Sequence, residues 1–314
     1  MRKFKKVYLI TGCAGFLGYH WTKHLLKKKL NVIGIDLKPF PEENLLKNKN
    51  FKFYNQSIFD YELMKELIDS SDYICHFAGI AEPQKYLDFP ERVINLTAYQ
   101  SIKIIKYCIN KKKLFFFTST SEIFGKNPQV PFHESSDRVL GSTSISRWCY
   151  SSSKAIVEHY LYACAKEKKI DFVGIRLFNI YGKNLKGRVV STFMENAIRN
   201  KDLVVTKPGN QTRSFMYVDD CVNIMDKLLH SKKSINQFFN IGNATEVSIL
   251  SLAKLIKKIT KSKSKIILKK FKDDNYQDIP QRATLMNKLK KITNYKTKLN
   301  LEKGLKKYFD TITN

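Results

Sequence analysis

The sequence predicts an α/β protein, a doubly wound parallel sheet followed by a smaller, mixed α/β lobe. Three observations carry that expectation. Short, continuously apolar stretches alternate with amphipathic ones through the first 180 residues, as strands covered on both faces alternate with crossover helices. The first apolar stretch runs into a three-glycine turn. After about Tyr181 the alternation breaks, and helices mix with short strands and turns such as Pro208-Gly209-Asn210.

Strands are expected at 7–10, 31–36, 51–54, 73–77, 114–118 and 172–177, with helices at 16–29, 61–68, 91–110 and 148–168. Later helices are expected at 189–200, 219–229, 248–260 and 301–309. The expected division is a first lobe over 1–180 and a second over 181–314, with segments that can cross back. In such a sheet the ligand crevice lies outside the carboxyl ends of the strands.

Composition narrows the function classes. A chain of 314 residues with 43% apolar and 12% aromatic content is not intrinsically disordered. No apolar run approaches the ~20 residues that span a bilayer. The basic start at 1–6 leads into only four apolar residues and Thr11-Gly12, which is not an export signal. A soluble, cytoplasmic protein is the expectation. The net charge of +28 suggests nucleic acid, but only nine of the 56 basic residues are arginines. Lysines spread over every helix read as solvated surface, so no specific nucleic-acid partner is expected. The six cysteines have no CxxC or Cys/His spacing, and the histidines share no ligand spacing, so no metal is expected.

The first strand leads into Thr11-Gly12-Cys13-Ala14-Gly15-Phe16-Leu17-Gly18 and then a helix. Gly12 permits a tight turn, Gly15 lets backbone approach a pyrophosphate, and Gly18 lets the helix pack on the strand. The helix start at Phe16 and Leu17 offers N–H groups and a positive dipole end to phosphates. Asp36 ends the second strand, 18 residues after Gly18. A carboxylate there accepts hydrogen bonds from a ribose diol and repels a 2′-phosphate, so this Rossmann-like half should take NAD over NADP.

Tyr150 and Lys154 stand four apart in the helix beginning near Trp148, so they share a face. An ammonium beside a phenol favours phenolate and makes a proton carrier. The segment 117–125 leaves the fifth strand at its carboxyl end, where Thr120 can bond a substrate hydroxyl and Glu122 supplies a carboxylate.

With these motifs, the sequence resembles the extended short-chain dehydrogenase/reductases, the NAD-dependent nucleotide-sugar epimerases, dehydratases and decarboxylases. The matching stretches are TGCAGFLG at 11–18, HFAG at 76–79, TSTSEIFG at 118–125, YSSSK at 150–154, RLFNIYG at 176–182 and QTRSFMYVDD at 211–220. The resemblance implies a catalytic triad of Thr120, Tyr150 and Lys154, with Asp36 on the adenosine ribose. It places Phe77, Ala78, Asn95 and Phe178 along the cofactor. Ser57 and Ile58 fall on the adenine side, Ser57 standing where many relatives carry Asp. It implies that Asn179, Arg213 and Arg282 hold the sugar nucleotide's diphosphate, which two arginines and an asparagine suit. Homodimerisation through the helices beside Tyr150 is implied by the resemblance alone.

The family shares transient oxidation at the sugar's 4-position; the fate of the keto intermediate divides its reactions. Thr120-Ser121-Glu122, Arg147, the run Lys186-Gly187-Arg188-Val189-Val190 and an arginine in the Arg282 region are similar to UDP-glucuronate decarboxylases, the favoured branch. Dehydratase and epimerase remain open. Arg282 lacks the family's usual sequel, and Glu82, after HFAG, would oppose a substrate carboxylate. Glu82, Arg188 and Val189 are substrate-side candidates. A catalytically silent NAD-binding protein is the reading of a different class.

Overall fold

A computed structural model describes residues 6–270 and 279–313. The basic start therefore lies, except for Lys6, outside the described residues. By contact the chain forms two compact units, each drawn from separate segments. Among the described residues, the first comprises 6–120, 149–175 and 225–238, and the second 121–148, 176–224, 239–270 and 279–313. Chain order does not separate them at a single point near 180: residues 121–148 count with the second unit and 225–238 with the first.

The first unit is organised by a seven-stranded sheet. Its first six strands are β1 (Val7–Thr11), β2 (Asn31–Ile35), β3 (Phe51–Tyr54), β4 (Tyr73–His76), β5 (Leu114–Thr120) and β6 (Asp171–Leu177). Next along the chain come β7 (Asn179–Tyr181), β8 (Leu203–Thr206) and β9 (Thr212–Tyr217), then β10 (Gln237–Ile241), which completes this sheet. The order is β3-β2-β1-β4-β5-β6-β10, with β1 parallel to β2 and β4, and β3 and β5 parallel to their inner neighbours. This is the doubly wound order with one added edge strand, and its reversal point lies between β1 and β4.

Local chemistry explains the helices. Asp60 caps Tyr61–Asp69 by accepting from the Leu63 N–H at 3.1 Å. Proline opens both Pro83–Asp88 and Pro90–Ile94, where its fixed φ suits a first turn. The single helix expected over 91–110 is instead interrupted: a π-helical turn, Asn95–Tyr99, precedes Gln100–Cys108. Leu9, Ile35, Ile74, Ile104, Phe115, Phe117, Leu161, Phe172 and Phe238 are among the side chains of the main apolar cluster. No disulfide joins the six cysteines, all of which are among the described residues.

The second unit adds β11 (Glu246–Ser248), β12 (Ile266–Lys269) and β13 (Gln281–Arg282). Strand β9 pairs antiparallel with β11 and parallel with β13 and β7, while β8 pairs parallel with β12. Its helices Val189–Ile198, Ile249–Thr260 and Leu301–Thr313, and the helix Val218–Leu229, whose residues from Met225 on count with the first unit, coincide within a few residues with expectation. Among the described residues no helix is long and apolar enough to cross a membrane, and no cluster of three or more His, Cys, Asp or Glu could hold a metal.

Candidate active site

At the carboxyl end of β1, Gly12 turns the chain with φ 72°. A Cβ there would stand 2.7 Å from the Ala78 nitrogen, so the loop leaving β4 passes directly against it. A Cβ at Gly18 would lie 2.1 Å from the Gly12 carbonyl oxygen, which reserves glycine for the start of the helix Phe16–Lys27. Gly15 is the N-cap and offers no side-chain cap, leaving the first-turn N–H groups at Phe16, Leu17 and Gly18 to an anion. Asp36 accepts from the Ala14 N–H at 3.0 Å and the Lys38 N–H at 2.9 Å. Its carboxylate thus lies against the glycine turn. The bare helix start, the backbone clearance at Gly12 and this carboxylate fit a dinucleotide such as NAD.

Of the other cofactor candidates, Phe77 and Ala78 meet this turn. The Phe77 N–H donates to the Thr11 carbonyl at 3.1 Å and the Ala78 N–H to the Thr11 hydroxyl at 3.3 Å. Ser57 accepts from the Phe59 N–H at 3.1 Å, and Ile58 is buried beside it. Asn95 opens the π-helical turn and accepts from Gln100 Nε2 at 3.4 Å. His76 is buried between the Thr11 and Ser101 hydroxyls, at 2.7 and 2.9 Å. Burial and then the Lys154 ammonium push its pKa down to about 3, so it is a neutral structural group.

Tyr150 and Lys154 lie in the helix Trp148–Lys166, both buried. Lys154 Nζ donates to the Thr118 carbonyl at 2.7 Å and sits 4.7 Å over the Phe117 ring. A Cβ at Gly79 would come 3.8 Å from Nζ, so the ammonium lies below the loop that follows β4. Burial pulls the Lys154 pKa down to about 7, against the opposing charge of Glu158. Glu158, itself buried, accepts from the Ser119 hydroxyl. Thr120 ends β5, 8% exposed.

In the second unit, Glu122 lies in the 3₁₀ turn Ser121–Phe124. Arg147 donates to one of its oxygens at 3.2 Å and Arg282 to the other. Burial would raise this carboxyl, but Arg282, Arg147 and Arg188 overcome that and hold it at about 2. Arg282 also reaches the Asn179 side-chain oxygen at 3.4 Å, and Asn179 donates to the Ser214 carbonyl at 3.0 Å. Three neighbouring strands assemble this group: β7 carries Asn179, β9 carries Arg213 and β13 carries Arg282, with Arg213 and Arg282 in register. Arg213 donates to the Thr212 and Pro280 carbonyls at 2.8 and 3.3 Å. Arg188 and Val189 begin the helix Val189–Ile198, where the Arg188 N–H donates to Ser191 Oγ at 3.2 Å. Phe178 is buried against Gly242, whose Cβ, if present, would lie 2.9 Å away. Glu82, in the first unit, is exposed at the N-cap of Pro83–Asp88.

Sequence reading did not find Tyr86, which lies face to face with Tyr150, or Glu158 beside Ser119. Glu158 had a signal, since it follows Lys154 by one helical turn. Tyr86 had none.

Residues 8–242 match the model of the NAD dependent epimerase/dehydratase family. The bifunctional polymyxin resistance protein ArnA of Wigglesworthia glossinidia brevipalpis is 31% identical over 340 residues; the match takes in 100% of this chain and 52% of that protein, so the chain spans about half its length. The UDP-N-acetyl-alpha-D-glucosaminuronate decarboxylase of Bacillus cytotoxicus is 32% identical over 319 residues, covering 96% of each chain. Among solved structures, the UDP-glucose 4-epimerase of Thermotoga maritima, solved with UDP-glucose, superposes with a TM-score of 0.88 at 28% identity, covering 98% of both chains.

Proposed function

Because the chain belongs to the NAD-dependent epimerase/dehydratase family, we propose that it decarboxylates a UDP-glucuronate-like nucleotide sugar through a transient 4-keto intermediate. Its broader class is an NAD-dependent enzyme that modifies nucleotide sugars. The observation that carries the reading is the buried Tyr150–Lys154 pair on one helix face, with the Lys154 ammonium beneath the loop that meets the glycine turn.

Bound NAD would supply the hydride chemistry at the sugar's 4-position. Gly12 and Gly18 let the turn and the helix pack closely, Gly15 would let backbone approach its pyrophosphate, and Asp36 would take its ribose diol. Tyr150 removes the 4-hydroxyl proton, and Lys154 in its protonated form stabilises the phenolate that does so. Thr120 hydrogen-bonds the same sugar oxygen. Asn179 and Arg213 hold the diphosphate, flanked by Arg188 and Val189. Arg282 is bonded to both Glu122 and Asn179, so we assign it to ordering Glu122 in preference to a direct diphosphate contact.

Glu122 selects the branch. Dehydration needs an acid for the departing 6-hydroxyl, and a carboxyl held at about 2 carries no proton near neutrality. A β-keto acid loses carbon dioxide without that acid. The paired arginines also offset the cost of bringing a substrate carboxylate near Glu122. The decarboxylase name of the Bacillus cytotoxicus relative supports the same branch. A 4-epimerase is the second reading, favoured by the likeness to the Thermotoga maritima enzyme.

Mass spectrometry of UDP-sugars incubated with enzyme and NAD⁺ tests the proposal. Loss of carbon dioxide from UDP-glucuronate is expected; UDP-glucuronate left intact while neutral UDP-hexoses react would overturn it. The same reading includes a homodimer and a cytoplasmic location. Exposed Phe89, Ile94, Tyr99, Ile156 and Tyr162 support a pairing face along the helices flanking Tyr150. Analytical ultracentrifugation should find twice the chain mass.

A further inference from the structure

The least explained feature beside Tyr150 is a second tyrosine. Tyr86, in the short helix Pro83–Asp88, is 2% exposed. Its ring lies on that of Tyr150 with centroids 4.5 Å apart and planes 8° from parallel. Its hydroxyl donates to the Ala81 carbonyl at 2.6 Å, which fixes the ring from its far end. Val93 completes a small buried cluster with the two tyrosines, and Ile80 and Cys149 pack against it. The cluster stands apart from the main apolar core, so it does not serve the sheet.

A proton carrier on a phenol ring works only if its oxygen is held where the substrate hydroxyl arrives. Rotation about the ring's own axis leaves that oxygen in place, whereas tilt of the ring moves it. A parallel ring at stacking distance opposes tilt and closes one face to water. Tyr86 follows the strand that supplies Ala78 to the glycine turn, so the same stretch of chain meets the cofactor cradle and the catalytic ring.

We propose that Tyr86 is a positioning residue that holds the Tyr150 phenol in its reactive orientation by a face-to-face ring contact, itself pinned to the Ala81 carbonyl. This inference rests on Tyr150 being the proton carrier. Displacing such a group by about 1 Å costs on the order of 100-fold in rate. The consequence is a loss in kcat with little change in KM, because Tyr86 is assigned no part in holding the sugar nucleotide.

The test measures kcat and KM with NAD⁺ and a UDP-sugar that the wild-type enzyme converts. Tyr150→Phe comes first and should be inactive; wild-type turnover in that variant overturns the reading of Tyr150, and the present inference with it. Given an inactive Tyr150→Phe, Tyr86→Leu should lower kcat by about 10- to 100-fold with KM within about threefold. Tyr86→Phe keeps the ring and should hold kcat within about threefold. The inference is overturned if Tyr86→Leu keeps kcat within about twofold, or if Tyr86→Phe falls as far as Tyr86→Leu. Should Tyr86→Leu lose its cooperative unfolding transition, Tyr86→Met replaces it under the same criteria.

Discussion

Lys154, a proposed catalytic residue, is buried at the expense of its own charge. The residue is 4% exposed, and burial brings its pKa from 10.5 to about 7. Between those values the unfolded chain keeps a proton that the folded one has shed, so the stability contributed by this group rises with pH across that window. Below pH 7 the buried charge weighs fully against folding. The difference in Tm between wild type and Lys154→Met should therefore move in favour of wild type from pH 7 to 10. A difference that ignores pH would contradict the burial of the charge. Tyr150→Phe should lower kcat by about 10²- to 10⁴-fold in the same assay used for turnover. Glu122 has the opposite sign. Its folded pKa of about 2 lies below the usual 4.5, so its contribution is present above 4.5 and fades as pH falls toward 2. Glu122→Gln leaves Arg147 and Arg282 buried without their anion, a loss of roughly 3–5 kcal/mol at pH 7. Urea unfolding should show that gap narrowing below pH 4.

Among the elements, the β1 turn and its helix make the sharpest test. A methyl at Gly18 has 2.1 Å to the Gly12 carbonyl, whereas one at Gly15 has 3.2 Å. Gly18→Ala should abolish the rise in Tm that NAD produces, and Gly15→Ala should only reduce it. This turn was legible because each of its glycines answers a local steric demand. Strands β1 to β6 were legible for a similar reason, being continuously apolar and of strand length. The π-helical turn Asn95–Tyr99 was not, since its apolar pattern reads much like the α-helix around it. Nor was the membership of β10, whose five residues carry no mark of the sheet they join. The Asn179–Arg282–Glu122–Arg147 group had residue types visible in sequence, but their meeting depends on strand registers set 36 to 69 residues apart.

For the molecule as a whole, the +28 charge is the property most open to experiment. A hollow of about 770 Å³ at the amino ends of the first unit's strands is lined by Lys6, Lys111, Lys112, Lys113, Lys168 and Lys169. Several of these are already engaged: Lys6 with Asp72, Lys111 with Asp69, and Lys169 with Glu167. The charge therefore acts mainly as a diffuse field that draws in anions. Raising salt from about 0.05 to 0.5 M should lower kcat/KM for a UDP-sugar severalfold while leaving kcat nearly unchanged. A salt-independent kcat/KM would remove any role for the field.

The chain's repeated passage between its two units has a bearing on biogenesis. The first sheet lacks its edge until Gln237–Ile241 has been translated, and the second unit already claims residues 121–148. Neither unit can mature early on the ribosome while the other waits. A fragment ending at residue 180 would emerge with its outermost backbone hydrogen-bonding groups exposed, an invitation to clump with other nascent chains.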